Sequence, residues 1–205
     1  MARYTFFDFD GTLTRGDSFT GFIRHVHGTW GLIRVLIKSA PAIALWKSGL
    51  RNNTYAKLRM FAAAFRGMPI DEFRRHGEDY ITGIDHMLRT EVVDELRNAV
   101  SQGDKVAIVS ASLGDWIRPW AHANGVQHVL TTEPETDAAG RLTGRFSRQN
   151  CQREEKCRRI LEAFPEIADN RSECHVTAWG DSDGDTEMLE LADEPHRLHK
   201  ARGRT

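Results

Sequence analysis

Short apolar runs separated by helical patterns, each ending against a polar residue, constrain this chain more than any other feature. Residues 4–9 carry Asp8 at the end of such a run, residues 105–110 end on Ser110, and residues 174–179 lead into Gly180-Asp181. Runs of this length read as buried strands. Residues 90–102 form an amphipathic helix pattern on Val92, Val93, Leu96 and Val100, stopped by Gly103. Residues 113–124 read as a helix, 127–132 as a strand, 153–164 as a helix, and 186–192 as a last helix before a short strand near 196–198. Residues 133–146, with Pro134, Gly140 and Gly144, read as a small hairpin. Strands separated by helices require a parallel sheet, so the expectation is an α/β chain with a doubly wound parallel sheet. In such sheets ligands sit at the carboxyl ends of strands near the point where strand order reverses. Asp8, Ser110 and Asp181 each fall at such an end.

Between the first and second strands the signals are helical from residue 17 to about residue 87, with breaks at Gly28, Gly49 and Gly67-Met68-Pro69. Tyr55, Leu58, Phe61, Ala62 and Phe65 recur there at helical spacing, and Asp71 can cap a further helix. The expected division is therefore a core made of residues 1–16 and 88–205, with an all-helical cap over residues 17–87 inserted above the site.

Asp8-Phe9-Asp10-Gly11-Thr12 places two carboxylates two positions apart. Side chains alternate along a strand, so Asp8 and Asp10 can share one side of it as it leaves the sheet. Burying unpaired acids is costly, and two close carboxylates raise the pKa of one of them. That combination suits a nucleophile beside a general acid.

The net charge is −1, but its distribution is uneven. No Asp or Glu occurs from Ser18 to Ile70, while Arg24, Arg34, Lys38, Lys47, Arg51, Lys57, Arg59 and Arg66 give that segment +8, leaving −9 for the remainder. A cationic piece thus faces an acidic one, as expected where a lid receives anions over an acidic metal site. Cys151, Cys157 and Cys174 lack metal-finger spacing and leave one cysteine over, which favours a reduced, cytoplasmic setting. The first strand begins within a few residues of Met1, so no secretory signal is expected. None of the nine histidines is assigned as a ligand.

In order, the motifs resemble those of the haloacid dehalogenase-like phosphohydrolases. The first is Asp8-Phe9-Asp10-Gly11-Thr12, the second Ile108-Val109-Ser110, the third a helix-opening Lys156, and the fourth Gly180-Asp181-Ser182-Asp183-Gly184-Asp185. The fourth is not a calcium loop, because the positions needing Gly and Glu hold Thr186 and Ala192. A helical insert directly after the first motif is similar to the branch containing phosphoserine phosphatases and phosphatidylglycerophosphatase C. The resemblance implies a Rossmann-like core.

It also implies a mechanism. Asp8 attacks phosphorus to give an aspartyl-phosphate, and Asp10 protonates the leaving alcohol and then activates water. The second Asp points to phosphatase or phosphomutase chemistry, since family dehalogenases lack it. Mg²⁺ is the implied cofactor, held by Asp8 and Asp181 side chains and the Asp10 backbone carbonyl, with Asp185 either a water-mediated ligand or a partner of Lys156. Ser110, Lys156 and the backbone N–H groups of Phe9 and Ala111 are the expected phosphate binders. Ser112, Asp183 and Thr12 are neighbours.

The substrate is less constrained. A small-molecule phosphomonoester is the first expectation, and no nucleic-acid partner is expected. Phosphoserine asks the lid for an acid, and only Asp17 or Glu72 lies near enough in sequence to serve. A phosphotransferase or phosphomutase passes the phosphoryl group to a second acceptor. Residues 30–50 interleave Trp30, Leu32, Ile33, Val35, Leu36, Ile37, Ile43, Leu45 and Trp46 with Arg34, Lys38 and Lys47. Arg34, Lys38 and Pro41 interrupt this stretch too early for a membrane span. Two readings stay open: a helix pair packed on itself, or a peripheral contact with anionic phospholipid, whose headgroup phosphate is then the substrate.

Overall fold

The computed structural model describes residues 1–198. Its strands are β1 (Ala2–Phe7), β2 (Lys105–Leu113), β3 (His128–Thr132), β4 (Pro134–Thr136), β5 (Leu142–Phe146), β6 (Cys174–Gly180) and β7 (Glu194–Arg197). β4 and β5 form an antiparallel hairpin. The other five make one sheet in the order β3-β2-β1-β6-β7, with every neighbouring pair parallel. The chain lays β2 and β3 on one side of β1, then crosses to lay β6 and β7 on the other. The reversal between β1 and β6 opens a crevice at the carboxyl ends of the strands.

The helices are α1 (Ser18–Lys47), α2 (Asn53–Phe65), α3 (Ile70–Ile81), α4 (Thr90–Ser101), α5 (Gly114–Ala123), α6 (Glu154–Ala163), α7 (Glu166–Asp169) and α8 (Thr186–Leu191). The period-two pattern of the strands divides the interior in two. Tyr4, Phe6, Ala107 and Val109 pack with Ile160, Phe164, Ile167 and Met188 from α6 to α8. Phe7, Val106 and Ile108 belong to a second cluster with Val93 and Leu96 of α4 and Ile117 and Trp120 of α5. Helices therefore cover both faces, as a buried parallel sheet requires.

α1, α2 and α3 lie between β1 and β2 in sequence and join that second cluster. Phe22 of α1 is its centre, with ring centroids 5.4 Å from Phe65, 5.2 Å from Phe73, 5.5 Å from Tyr80 and 4.5 Å from Trp116. Trp116 belongs to α5 and also donates its indole N–H to Ser18 Oγ at 3.0 Å, so the insert is anchored to the sheet layer at the first turn of α1. Asp17 caps α1 through Phe19 N, and Asn52 caps α2 through Tyr55 N. The Gly28 break becomes a kink within α1, at φ 67° and ψ 178°, rather than its end.

Asp71 lies within the first turn of α3 and does not cap it, because Pro69 occupies the cap position, and three strand boundaries also differ from expectation. β1 stops at Phe7, because the chain after Asp8 turns into a tight loop over Phe9–Leu13. β2 continues to Leu113, with its register against β3 slipping between Ser110 and Leu113. β7 begins at Glu194, where Pro195 sits on an edge strand and no apolar alternation marks it. Residues 199–205 of the expected core lie outside the described residues.

Phe22→Ala removes the hub of the aromatic cluster at a fully buried position. The expected cost is about 3–5 kcal/mol, read as a lower urea midpoint with an unchanged slope.

Candidate active site

Every sequence-predicted site residue lines or borders one cavity of about 1060 Å³ at the carboxyl end of the sheet. Asp8, Asp10, Ser110, Ala111, Lys156, Asp181 and Asp185 are all on its wall. β1 delivers Asp8, whose backbone N–H still donates to Trp179 O of β6 at 2.9 Å. The loop that follows depends on Gly11, at φ 85°. A Cβ there would overlap the Asp181 carboxylate, so the first and fourth motifs touch through the space a side chain would occupy.

Lys156 occupies the centre. Its ammonium donates to Asp8 Oδ1 at 2.7 Å, Asp185 Oδ1 at 2.5 Å and Val109 O at 2.6 Å. An ammonium has three protons, so all are engaged. The entry to α6 is strained, because Arg153 adopts φ 54° without being glycine, and its N–H donates to Gly184 O at 2.7 Å. That contact ties the Lys156 helix to the fourth-motif turn. Asp185 is fixed from the other side, where its Oδ2 accepts from Ser182 N at 2.9 Å, Ser182 Oγ at 2.8 Å and Asp181 N at 3.2 Å.

Carboxylate oxygens of Asp8, Asp181 and Asp185 lie within 4.8 Å of one another. Three carboxylates gathered this closely make an all-oxygen set of the kind that fits a hard divalent cation such as Mg²⁺. Burial, with Asp185 nearby, pushes Asp8 up to about 8 against the pull of Lys156. Burial alone would lower Lys156, but Asp185 and Asp8 more than offset it and hold the ammonium above the ordinary lysine value. Burial likewise opposes ionisation of Asp185, yet Lys156 and the Ser182 bonds keep its carboxyl below the usual range.

The Asp10 carboxylate stands outside this cluster. Its Oδ1 accepts from Ser18 N at 2.8 Å, and its Oδ2 accepts from the Ser112 hydroxyl. Burial and the Asp17 carboxylate push it up to about 6, against Lys57 and these two hydrogen bonds. Ser110 Oγ accepts from Ser112 N at 3.1 Å. Thr12 is buried with its hydroxyl 3.5 Å from Asp8 Oδ2, so it braces Asp8 as well as turning the chain. Asp183 sits at the rim, exposed and 3.7 Å from Arg197.

Two side chains on the cavity wall carry no sequence signal of their own. Lys57 of α2 donates to Ala111 O at 2.8 Å and approaches Ser112 Oγ at 3.5 Å. Burial lowers its pKa, while Asp17, Asp10 and Asp8 oppose the shift. In sequence it is one of eight cations in an acid-free stretch, with nothing to distinguish it. Arg89 donates its Nε–H to Gly11 O at 3.1 Å, a contact across 78 positions that no local pattern encodes. Thr54 of α2 completes the seam by accepting from Gln152 Nε2 at 2.7 Å and Asn150 Nδ2 at 3.0 Å.

A family model for haloacid dehalogenase-like hydrolases matches residues 5–190. The chain belongs to the haloacid dehalogenase-like hydrolase family. A relative is Protein CicA of Caulobacter vibrioides (strain NA1000 / CB15N), 30% identical over 193 residues that span 92% of this chain and 82% of that protein. Among solved structures, a protein of unknown function from Bordetella pertussis Tohama I aligns with a TM-score of 0.75 at 26% identity, over 93% of this chain and 86% of that one. A phospho-aspartyl intermediate analogue of phosphoserine phosphatase aligns with a TM-score of 0.63 at 18% identity, over 93% of this chain and 83% of that one. The last likeness is one of fold, and fold alone does not assign a substrate.

Gly11→Ala is expected to displace Asp181 and strain the loop without unfolding the sheet. The outcome is a loss of about 10–100-fold in Mg²⁺ affinity by titration calorimetry, with an unchanged far-UV circular dichroism spectrum.

Proposed function

We propose that this protein is a Mg²⁺-dependent phosphomonoester hydrolase working through an aspartyl-phosphate, with a small phosphorylated metabolite as substrate. The observation that carries the reading is the unequal pair Asp8 and Asp10 on one cavity wall. Asp8 is held by Lys156 within the carboxylate cluster, whereas Asp10 is held by a serine hydroxyl and a backbone N–H and is pushed up to about 6. Two carboxyls whose surroundings differ this way suit a nucleophile and a proton carrier near neutral pH.

In the proposed reaction an Asp8 oxygen attacks phosphorus, and the bond to the leaving oxygen breaks. Asp10 gives that oxygen its proton, so the alcohol departs neutral. Water then attacks the Asp8 phosphate, Asp10 takes its proton back, and inorganic phosphate is released. Asp8, Asp181 and the Asp10 carbonyl would hold Mg²⁺, with Asp185 a water-mediated ligand or the partner of Lys156, and the ion would supply the positive charge that lets a phosphate dianion approach these acids and favours ionised Asp8. Lys156 holds Asp8 in place, and together with Ser110 and the Ala111 backbone it stabilises the phosphoryl oxygens. Residues 17–87 act as the cap that closes the cavity, and Lys57 is its cation at the reacting end.

Phosphoserine ranks lower. Asp17 lines the cavity, but its carboxylate accepts from Phe19 N at 3.0 Å and Thr20 Oγ1 at 3.0 Å and so is committed to capping α1. Glu72 instead lies 3.9 Å from His76.

Asp8→Asn should lower phosphate release from a chromogenic phosphomonoester by on the order of 10³-fold or more, and chelation by EDTA should do the same reversibly. A panel of phosphorylated metabolites that includes phosphoserine identifies the substrate. Free phosphate as the sole product separates hydrolysis from phosphoryl transfer to a second acceptor. Wild-type turnover by Asp8→Asn would show that another group is the nucleophile.

Lys57→Met should raise KM by about tenfold or more, since it deletes a charged donor from the wall, with a smaller change in kcat. Steady-state kinetics on the same substrate reads both. An unchanged KM would leave Lys57 a purely structural clasp on Ala111.

A further inference from the structure

The outer half of α1, beyond the Gly28 kink, is packed on one side only. Val35, Ser39 and Ala42 are buried. The opposite face presents Trp30, Ile33, Ile37, Pro41 and Ala44 at helical spacing, with Trp30 79% and Ile37 68% exposed. Single exposed apolar residues are ordinary, but a stripe of them on one helix marks a contact surface. Arg34 and Lys38 flank the stripe, and no acid occurs from Ser18 to Ile70.

These features select the occupant. Tryptophan is suited to the headgroup level of a bilayer, and flanking cations complement anionic lipid. A second copy of the same face would bring Arg34 and Lys38 against their own kind. Among the described residues no helix is long and apolar enough to cross a membrane, so the contact lies in the interfacial plane. Leu36 and Trp46 of the same helix line the cavity, and Trp46 stands one turn beyond buried Ala42, so the stripe lies on the outer side of the helix that walls the site.

We propose that the outer half of α1 docks on an anionic phospholipid bilayer, with Trp30, Ile33 and Ile37 inserted among headgroups and Arg34 and Lys38 paired with lipid phosphates. The docking stands on this surface alone. Its consequence, that an enzyme held this way works beside phosphorylated headgroups, rests on the phosphomonoesterase reading above.

The test is cosedimentation of the full chain with vesicles of equal parts phosphatidylglycerol and phosphatidylcholine, against vesicles of phosphatidylcholine alone, with tryptophan emission followed in parallel. Expected are binding to the anionic vesicles only, a blue-shifted emission on binding, and release by added salt. Arg34→Gln and Lys38→Gln should each weaken binding about fivefold. Trp30→Ser with Ile37→Ser should abolish the emission shift. All four changes lie at exposed positions, and the variants should hydrolyse a soluble chromogenic phosphomonoester at the wild-type rate. Asp8→Asn should still bind vesicles, so a failed docking and a failed catalytic assignment are told apart. Absence of wild-type binding to anionic vesicles overturns the proposal, as does binding that these substitutions leave unchanged. A dimer in light scattering that Ile37→Asp dissolves, without vesicle binding by the wild type, assigns the face to a second copy instead.

Discussion

The buried ammonium of Lys156 is the constraint on which the site depends. It is 1% exposed and its three acceptors come from the end of β1, from β2 and from the turn after β6. A buried charge left without partners costs several kcal/mol, so these segments converge on it or the interior is destabilised. α6 is placed accordingly, and the strained Arg153 backbone is tolerated because it brings α6 to the Gly184 carbonyl. The same lysine holds Asp8 and Asp185 beside Asp181, the three-carboxylate arrangement that suits a divalent cation.

The sheet alone does not build the cavity. Its carboxyl edge supplies the acids, and the helices between β1 and β2 supply the opposite wall, pinned at Trp116 and Ser18 and at the Thr54 seam. The two walls differ in character: the sheet side brings Asp8, Asp10, Asp181 and Asp185 with Lys156, Arg89 and Arg153, while the helical wall is largely apolar, with Phe19, Leu36, Ile43 and Trp46 around Asp17 and Lys57.

How much of this could be read beforehand depends on whether the cause was local. Apolar runs and their polar ends located β1, β2, β3 and β6, because a buried strand writes its period directly into the chain. Asp8, Asp10, Ser110, Lys156, Asp181 and Asp185 stood in motifs, and the structure brings them to one cavity. β7 was displaced because an edge strand containing Pro195 has no apolar alternation to betray it. Lys57 and Arg89 were not singled out because their partners, Ala111 and Gly11, lie far away in sequence. Proximity created by topology leaves no periodic trace. The Gly28 kink was legible as a break, but whether a break ends a helix or bends it depends on packing to either side.

Asp10 hangs between two bodies. One carboxylate oxygen receives the first-turn N–H of α1, and the other receives Ser112 at the end of β2. On the proposed reading the proton carrier is therefore a mechanical joint as well as an acid. The position of the first turn of α1 thus sets how many donors that carboxylate has, so the packing of the insert on the sheet and the protonation of Asp10 share one hydrogen bond.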